Sequence, residues 1–393
     1  MNDINNLFFE LIRVAIGAQE SLSRMPSESE WKELYEMAKK QSLVGICFAG
    51  VQKMCDSDEE FYFGMSEMQY LVWMGMAANI QRLNEVVNKQ CVELQERLAA
   101  TGFRSCVLKG QSAAALYRGS SNGSMSSNDG TSGTVETFDL RALRQSGDID
   151  IWVDAPRKEI IAMVQKIAPT TNVREHHLEL QAFHDTEVEV HFWPAVIRHF
   201  LKNRKLQKWF DTKRETVFAL GTPTPEFHAI QMMAHMYHHL FDSGIGLRQV
   251  MDYYMVLRTL SSKGSNVPGS KGSRMQEVSS AIDHIGMGRF ASAMMWVIKT
   301  IFVGHENECE NEQLFPWKPN NEDGKFFLGE IMRGGNFGHH DDRKNLRKGG
   351  YLNSFLGGIV RNFRYLRFNP FDWFWSPLWR LYYFGWRRVN GYK

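Results

Sequence analysis

Arg144-Gln-Ser-Gly-Asp-Ile-Asp-Ile-Trp-Val153 is the stretch from which the rest of the chain is read. Successive strand side chains point to opposite faces, so the Asp-Ile-Asp alternation puts Asp148 and Asp150 on one side while Ile149 and Ile151 bury the other. Two hard oxygen donors so placed suit Mg²⁺, which keeps waters and takes one or two carboxylates together with substrate phosphates. A solvated strand edge with ordinary alternation is the competing reading, because a D-x-D alone is short.

Two flanking segments bear on that choice. Cys106-Val-Leu-Lys-Gly110 reads as a short apolar strand entering a turn, and Gln111-Ser-Ala-Ala-Ala-Leu-Tyr117 as a helix-forming run. A strand that ends in glycine and opens a helix presents free backbone N–H groups to an anion. Lys109 and Ser112 would add a charge and a hydroxyl for a triphosphate there. Downstream, Thr186-Glu-Val-Glu-Val-His-Phe192 alternates over a strand's length, so Glu187, Glu189 and His191 share a face and a third carboxylate arrives from a neighbouring strand.

This constellation resembles the nucleotidyltransferase superfamily, and more closely its uncharacterised bacterial branch. The residues that carry the resemblance are Leu108-Lys109-Gly110, Arg144 to Asp150, Glu189-Val190-His191, His235-Met-Tyr-His238-His239 and Leu247-Arg248-Gln-Val-Met-Asp252, within roughly residues 5 to 260. The resemblance implies an α+β fold with a mixed β-sheet core flanked by helices. It further implies that Asp148, Asp150 and Glu189 form the catalytic, metal-holding carboxylate set, taking two Mg²⁺ ions. Lys109, Gly110, Ser112, Arg144 and Gly147 would bind the nucleotide, ATP or another NTP.

Two departures from the superfamily pattern stand out. Gln111 follows the turn glycine, where Ser or Gly is usual, and Ser112 comes one position later. The stretch between Gly110 and Asp148 is also unusually long and rich in Ser, Gly and Asn, which reads as a mobile insertion over about 118–137. Loop closure entropy grows slowly with length, so such an insertion need not spoil the site; it is either a spacer or a lid.

Attack of an acceptor hydroxyl on the α-phosphate of an NTP builds charge on phosphoryl oxygens and on pyrophosphate, so positioning and electrostatics dominate. Carboxylates are the groups that hold the cations such a step needs. Glu189 suits either a metal ligand or an acceptor base. A zinc site of His176, His177, His184 and His191 competes weakly, since no cysteine is near and no helical H-E-x-x-H occurs. His235 and His239, four apart, are expected as core or interdomain residues, and Arg248 and Asp252, also four apart, as an intrahelical ion pair.

The remaining bounds come from the whole chain. At 393 residues it exceeds a single core, and a helical region over 1–100, a catalytic core over 101–220 and a helical region over 221–393 are expected. Gly221-Thr-Pro-Thr-Pro225 marks the second boundary, and Ser261 to Ser273 reads as another disordered loop. Five cysteines without a C-x-x-C pair read as reduced thiols of a cytoplasmic protein. The start lacks a signal-peptide pattern, and no run reaches the roughly 18 apolar residues of a spanning helix.

Net charge is +2, but Arg333 to Lys393 carries 12 Lys and Arg against 3 Asp and Glu. In this tail, about 350–393, basic residues interleave with Trp, Phe and Tyr. That composition suits packing on the helical domain, peripheral contact with an anionic membrane at the inner face, or stacking on nucleic acid. The function expected is Mg²⁺-dependent transfer of a nucleoside monophosphate from an NTP to an unidentified acceptor hydroxyl. The alternatives are a non-catalytic scaffold that binds nucleotide or protein, and a toxin-like enzyme that modifies tRNA or protein.

Overall fold

The computed structural model describes residues 3–57, 64–117, 139–240, 242–261, 270–303, 314–343 and 350–390. The insertion expected over 118–137 lies outside these residues, as does most of the Ser261 to Ser273 loop. The fold is α+β: one mixed five-stranded sheet with helices around it and helical regions at both ends.

Helices α1 (Asp3–Ile16), α2 (Glu28–Gln41), α3 (Val44–Ser57) and the long α4 (Glu67–Ala100) lead to β1 (Ser105–Val107). Ser27 caps α2 in a capping box with Glu30, and Ser66 caps α4 with Gln69; each hydroxyl accepts a helix N–H that has no partner within the helix. Next come α5 (Lys109–Ala114), α6 (Leu140–Leu143), β2 (Ile149–Val153), α7 (Arg157–Ile167), β3 (Thr170–Val173), β4 (His177–Leu180) and β5 (Val188–His191). The C-terminal region consists of α8 (Phe200–Leu220), α9 (Pro225–Leu240), α10 (Leu247–Ser261), α11 (Ser270–Ile285), α12 (Gly288–Ile298), α13 (Asn321–Gly334), α14 (Gly350–Asn362) and α15 (Pro370–Val389). Gly221 ends α8 with φ +66°, a left-handed turn that glycine adopts without strain.

The strand order is β1-β2-β5-β4-β3. Among the described residues only the β2–β5 pair is parallel, and it sets Asp150 beside Glu189 and Trp152 beside His191. β4 runs antiparallel to β5 with His177 opposite His191. The strict alternation of β2 divides its side chains between two cores. Ile149, Ile151 and Val153 pack with Leu94 and Leu98 of α4 and with Ile160 and Val164 of α7. On the opposite face Trp152 packs against Phe218 and Phe227 of the helical layer, with ring centroids 4.4 and 5.9 Å apart. The aspartates share that second face, so the helices wall off the site they form.

The N-terminal and C-terminal helices share a single large core that runs from Ile4 to Phe368. Gln41 ties them together: it donates to the Ile331 carbonyl at 3.1 Å and accepts from the Leu247 N–H at 2.9 Å. The aromatic tail is partly packed. Asp372 of α15 is buried against Lys202 at 2.6 Å and accepts from the Tyr237 hydroxyl, while Arg198 and Arg157 lie over the rings of Trp379 and Trp386. Phe371 and Phe374 on the same helix remain exposed. Among the described residues no helix is long and apolar enough to cross a membrane.

Candidate active site

A pocket of about 230 Å³ lies between the sheet and helices α9 and α10. Lys109, Gly110, Arg144, Gly147, Asp148, Asp150 and Glu189 all line it, although they come from three separate segments. Ser112 does not line it. Its hydroxyl donates to the Lys109 carbonyl at 2.8 Å, bracing the turn, and Gln111 donates to Asn88 at 2.6 Å.

The turn after β1 is sharp. The Leu108 N–H donates to the Asp150 carbonyl at 2.8 Å, after which Lys109 has φ +31° and Gly110 has φ +43° and ψ −111°. L side chains rarely tolerate such a conformation at Gly110, and a Cβ there would come 3.5 Å from the Asp148 carbonyl. The turn folds Lys109 back onto the carboxylates, so that its Nζ lies 2.7 Å from Asp150 Oδ1 and 3.4 Å from His235 Nδ1.

One oxygen from each of Asp148, Asp150 and Glu189 can be chosen so that all lie within 4.8 Å of one another. Asp148 is pushed up to about 7, first by the neighbouring Asp150 charge, then by burial and by Glu189. Asp150 goes the other way: burial would raise it, but Lys109 and the hydrogen bond with His191 hold it well below the usual carboxylate range. Glu189 is also lowered against its burial, chiefly by the His191 hydrogen bond and the His177 charge. His191 Nε2 sits 2.7 Å from Asp150 Oδ1 and 3.3 Å from Glu189 Oε2, and despite burial these partners raise it to about 9. Lys109 and His191 thus serve as internal counter-cations, and Asp148 is the carboxylate they leave least compensated. This donor set fits a hard divalent cation.

Arg144 is placed differently from a phosphate-facing side chain. Its Nε and Nη2 each lie 2.7 Å from the two oxygens of Asp252 on α10, and Tyr117 donates to Asp252 Oδ1 at 2.6 Å. The expected Arg248–Asp252 pair within α10 is therefore corrected: the Asp252 carboxylate is held by Arg144 and Tyr117. Arg248 turns instead to the carbonyls of Gln145 and Ser146, at 3.1 and 3.2 Å. Asn84 of α4 donates to the carbonyls of Ala142 and Arg144, both at 2.7 Å. The loop before Asp148 is thus held by both helical regions.

Among the histidines, His176, His177, His191, His235, His238 and His239 line the pocket, whereas His184 is exposed and apart from it. Tyr117, Asn84 and the carbonyl-binding role of Arg248 lay beyond sequence reasoning. Their partners are 135, 58 and about a hundred residues away, and no local spacing signals them.

Residues 137–302 match the model of a family described as an uncharacterised nucleotidyltransferase, which supports assignment to the nucleotidyltransferase superfamily. No curated protein and no solved structure matches the chain. The family match covers both aspartates, Glu189 and α10 but not Lys109 or Gly110, which join them only through the fold.

Proposed function

We propose that the chain moves a nucleoside monophosphate from an NTP to an acceptor hydroxyl, releasing pyrophosphate, with Asp148, Asp150 and Glu189 holding Mg²⁺. The observation that carries this reading is the convergence of three carboxylates, Asp148 just before β2, Asp150 on β2 and Glu189 on the parallel β5, around a pocket that Lys109 also lines. Bound Mg²⁺ would neutralise charge on the phosphates and on the attacking and leaving oxygens.

The protein's own groups supply position. Lys109 offers an ammonium on a turn whose strained backbone fixes its direction. Arg144 acts as a positioning residue, because Asp252 and the Gln145 carbonyl, at 3.3 Å from Nη1, occupy its guanidinium. Glu189 is engaged by imidazoles and held ionised, which makes it a better ligand than a base at neutral pH.

Calorimetric titration of Mg²⁺ with each of four non-hydrolysable NTP analogues tests this reading, comparing wild type with Asp148→Asn/Asp150→Asn. Metal-dependent binding that the variant loses supports it and identifies the base. Absence of binding to every analogue sinks it and favours a scaffold that keeps the fold without the chemistry.

A further inference from the structure

The sheet face that carries the carboxylates continues into a second donor set of different chemistry. Opposite residues of paired strands share a face, so the register Trp152↔His191↔His177 lies one step along from Asp150↔Glu189. One ligand atom each from His177, Glu189 and His191 again falls within 4.8 Å of the others. The two oxygens of Glu189 divide between the rings, Oε1 lying 3.4 Å from His177 Nε2 and Oε2 lying 3.3 Å from His191 Nε2.

Two further observations point to a ligand. His177 is 4% exposed, and neither ring nitrogen makes a hydrogen bond among the described residues. Buried polar atoms are rarely left so. His191 Nδ1 lies 3.2 Å from the Trp193 carbonyl, the kind of outer contact that orients a metal-binding imidazole, while its Nε2 meets Asp150 Oδ1 at 2.7 Å, so an ion bound there would displace the proton held between them.

We propose that His177, Glu189 and His191 form a nitrogen-rich cation site for a borderline transition ion such as Zn²⁺ or Co²⁺, with Glu189 shared between it and the carboxylate site. Two imidazoles and one carboxylate are a donor set that such ions accept with a coordination position left open, whereas Mg²⁺ prefers oxygen. Asp148 and Asp150 form the hard end of the same face and His177 the soft end. The inference stands on the donor geometry alone and requires no nucleotide.

The test is titration of metal-stripped protein with Co²⁺, read by the visible bands of nitrogen-ligated cobalt and by calorimetry. Wild type and Asp148→Asn should both bind. His177→Gln, confirmed folded by circular dichroism, should lose the bands and weaken binding at least about 10-fold. Unchanged Co²⁺ binding in folded His177→Gln, or loss in Asp148→Asn with retention in His177→Gln, overturns the assignment. Pulsed EPR of Cu²⁺ bound to the wild type provides a check that needs no variant: imidazole nitrogen couplings are expected, and an oxygen-only spectrum refutes the site. Mg²⁺-dependent binding of NTP analogues, measured separately, distinguishes failure here from failure of the transferase reading.

Discussion

Asp252→Asn probes the deepest electrostatic contact beneath the site. Arg144 and Asp252 are 4% and 7% exposed, and their two hydrogen bonds, both 2.7 Å, form a fork that only a carboxylate matches. Asparagine is nearly the same size but removes the charge and one acceptor, leaving a guanidinium buried without its counter-ion. Breaking one side of a buried pair costs about 3–5 kcal/mol, a large share of the roughly 5–15 kcal/mol that holds a typical protein folded. At about 2–4 °C per kcal/mol for a sizeable domain, the thermal midpoint should fall by about 10 °C.

Urea unfolding followed by circular dichroism gives the magnitude, and a second variant tests its cause. Arg144→Met/Asp252→Leu removes both charges, so it should be less destabilised than Asp252→Asn alone. Because Arg144 also reaches the Gln145 carbonyl, the loop before Asp148 loosens in Asp252→Asn, and Mg²⁺-dependent nucleotide binding should weaken with stability. A loss under about 1 kcal/mol, or a double variant at least as destabilised as Asp252→Asn, would refute the reasoning.

In metal-free protein at pH 8, Asp148→Asn should raise stability. A carboxyl pushed up to about 7 from an ordinary 3.8 penalises the fold as pH rises through that window, by on the order of 2 kcal/mol after allowing for its partial exposure; an unchanged or lower urea midpoint contradicts this. In that background a histidine that burial keeps neutral shows the opposite sign. Burial lowers His228 to about 4, so the unfolded chain takes up protons below pH 6.5 before the folded one does, and stability should drop by about 2 kcal/mol or more between pH 6.5 and 4.5, whereas equal midpoints count against it. Gly110→Ala should cost about 1–3 kcal/mol through backbone strain alone, since its Cβ meets no clash, and wild-type stability would show that the turn does not need glycine. Asp372→Ala strips Lys202 and Tyr237 of their shared acceptor, so about 1–3 kcal/mol should be lost and α15 should become open to trypsin, a susceptibility that limited digestion measures directly.

The legible parts of this molecule are the local ones. Period-two alternation put Asp148, the residue before β2, on the same side as Asp150 and placed Glu189 on β5, because side-chain direction in an extended segment depends only on parity. Gly221 announced the end of α8 for an equally local reason. Contacts made at long range were hidden. Arg248 and Asp252, four apart on one helix, look like partners, yet Arg144 is 108 residues from Asp252 and takes it. Ser112 looked available to phosphate, but the kink at Gly110 turns its hydroxyl onto the Lys109 carbonyl. Nor does spacing show that β4 lays His177 opposite His191; that depends on strand register.

Register also explains why the carboxylates tolerate one another. Three acids brought together in a buried cleft repel, and the chain answers with two cations, Lys109 from the turn after β1 and His191 from β5. Both act on Asp150, at 2.7 Å each, so neutralisation is uneven and Asp148 keeps its proton up to about 7. A structure built only for stability would compensate Asp148 as well, or replace it. With Asp148 left short of positive charge, a divalent ion held there, as proposed above, would stabilise the fold in proportion to what is missing.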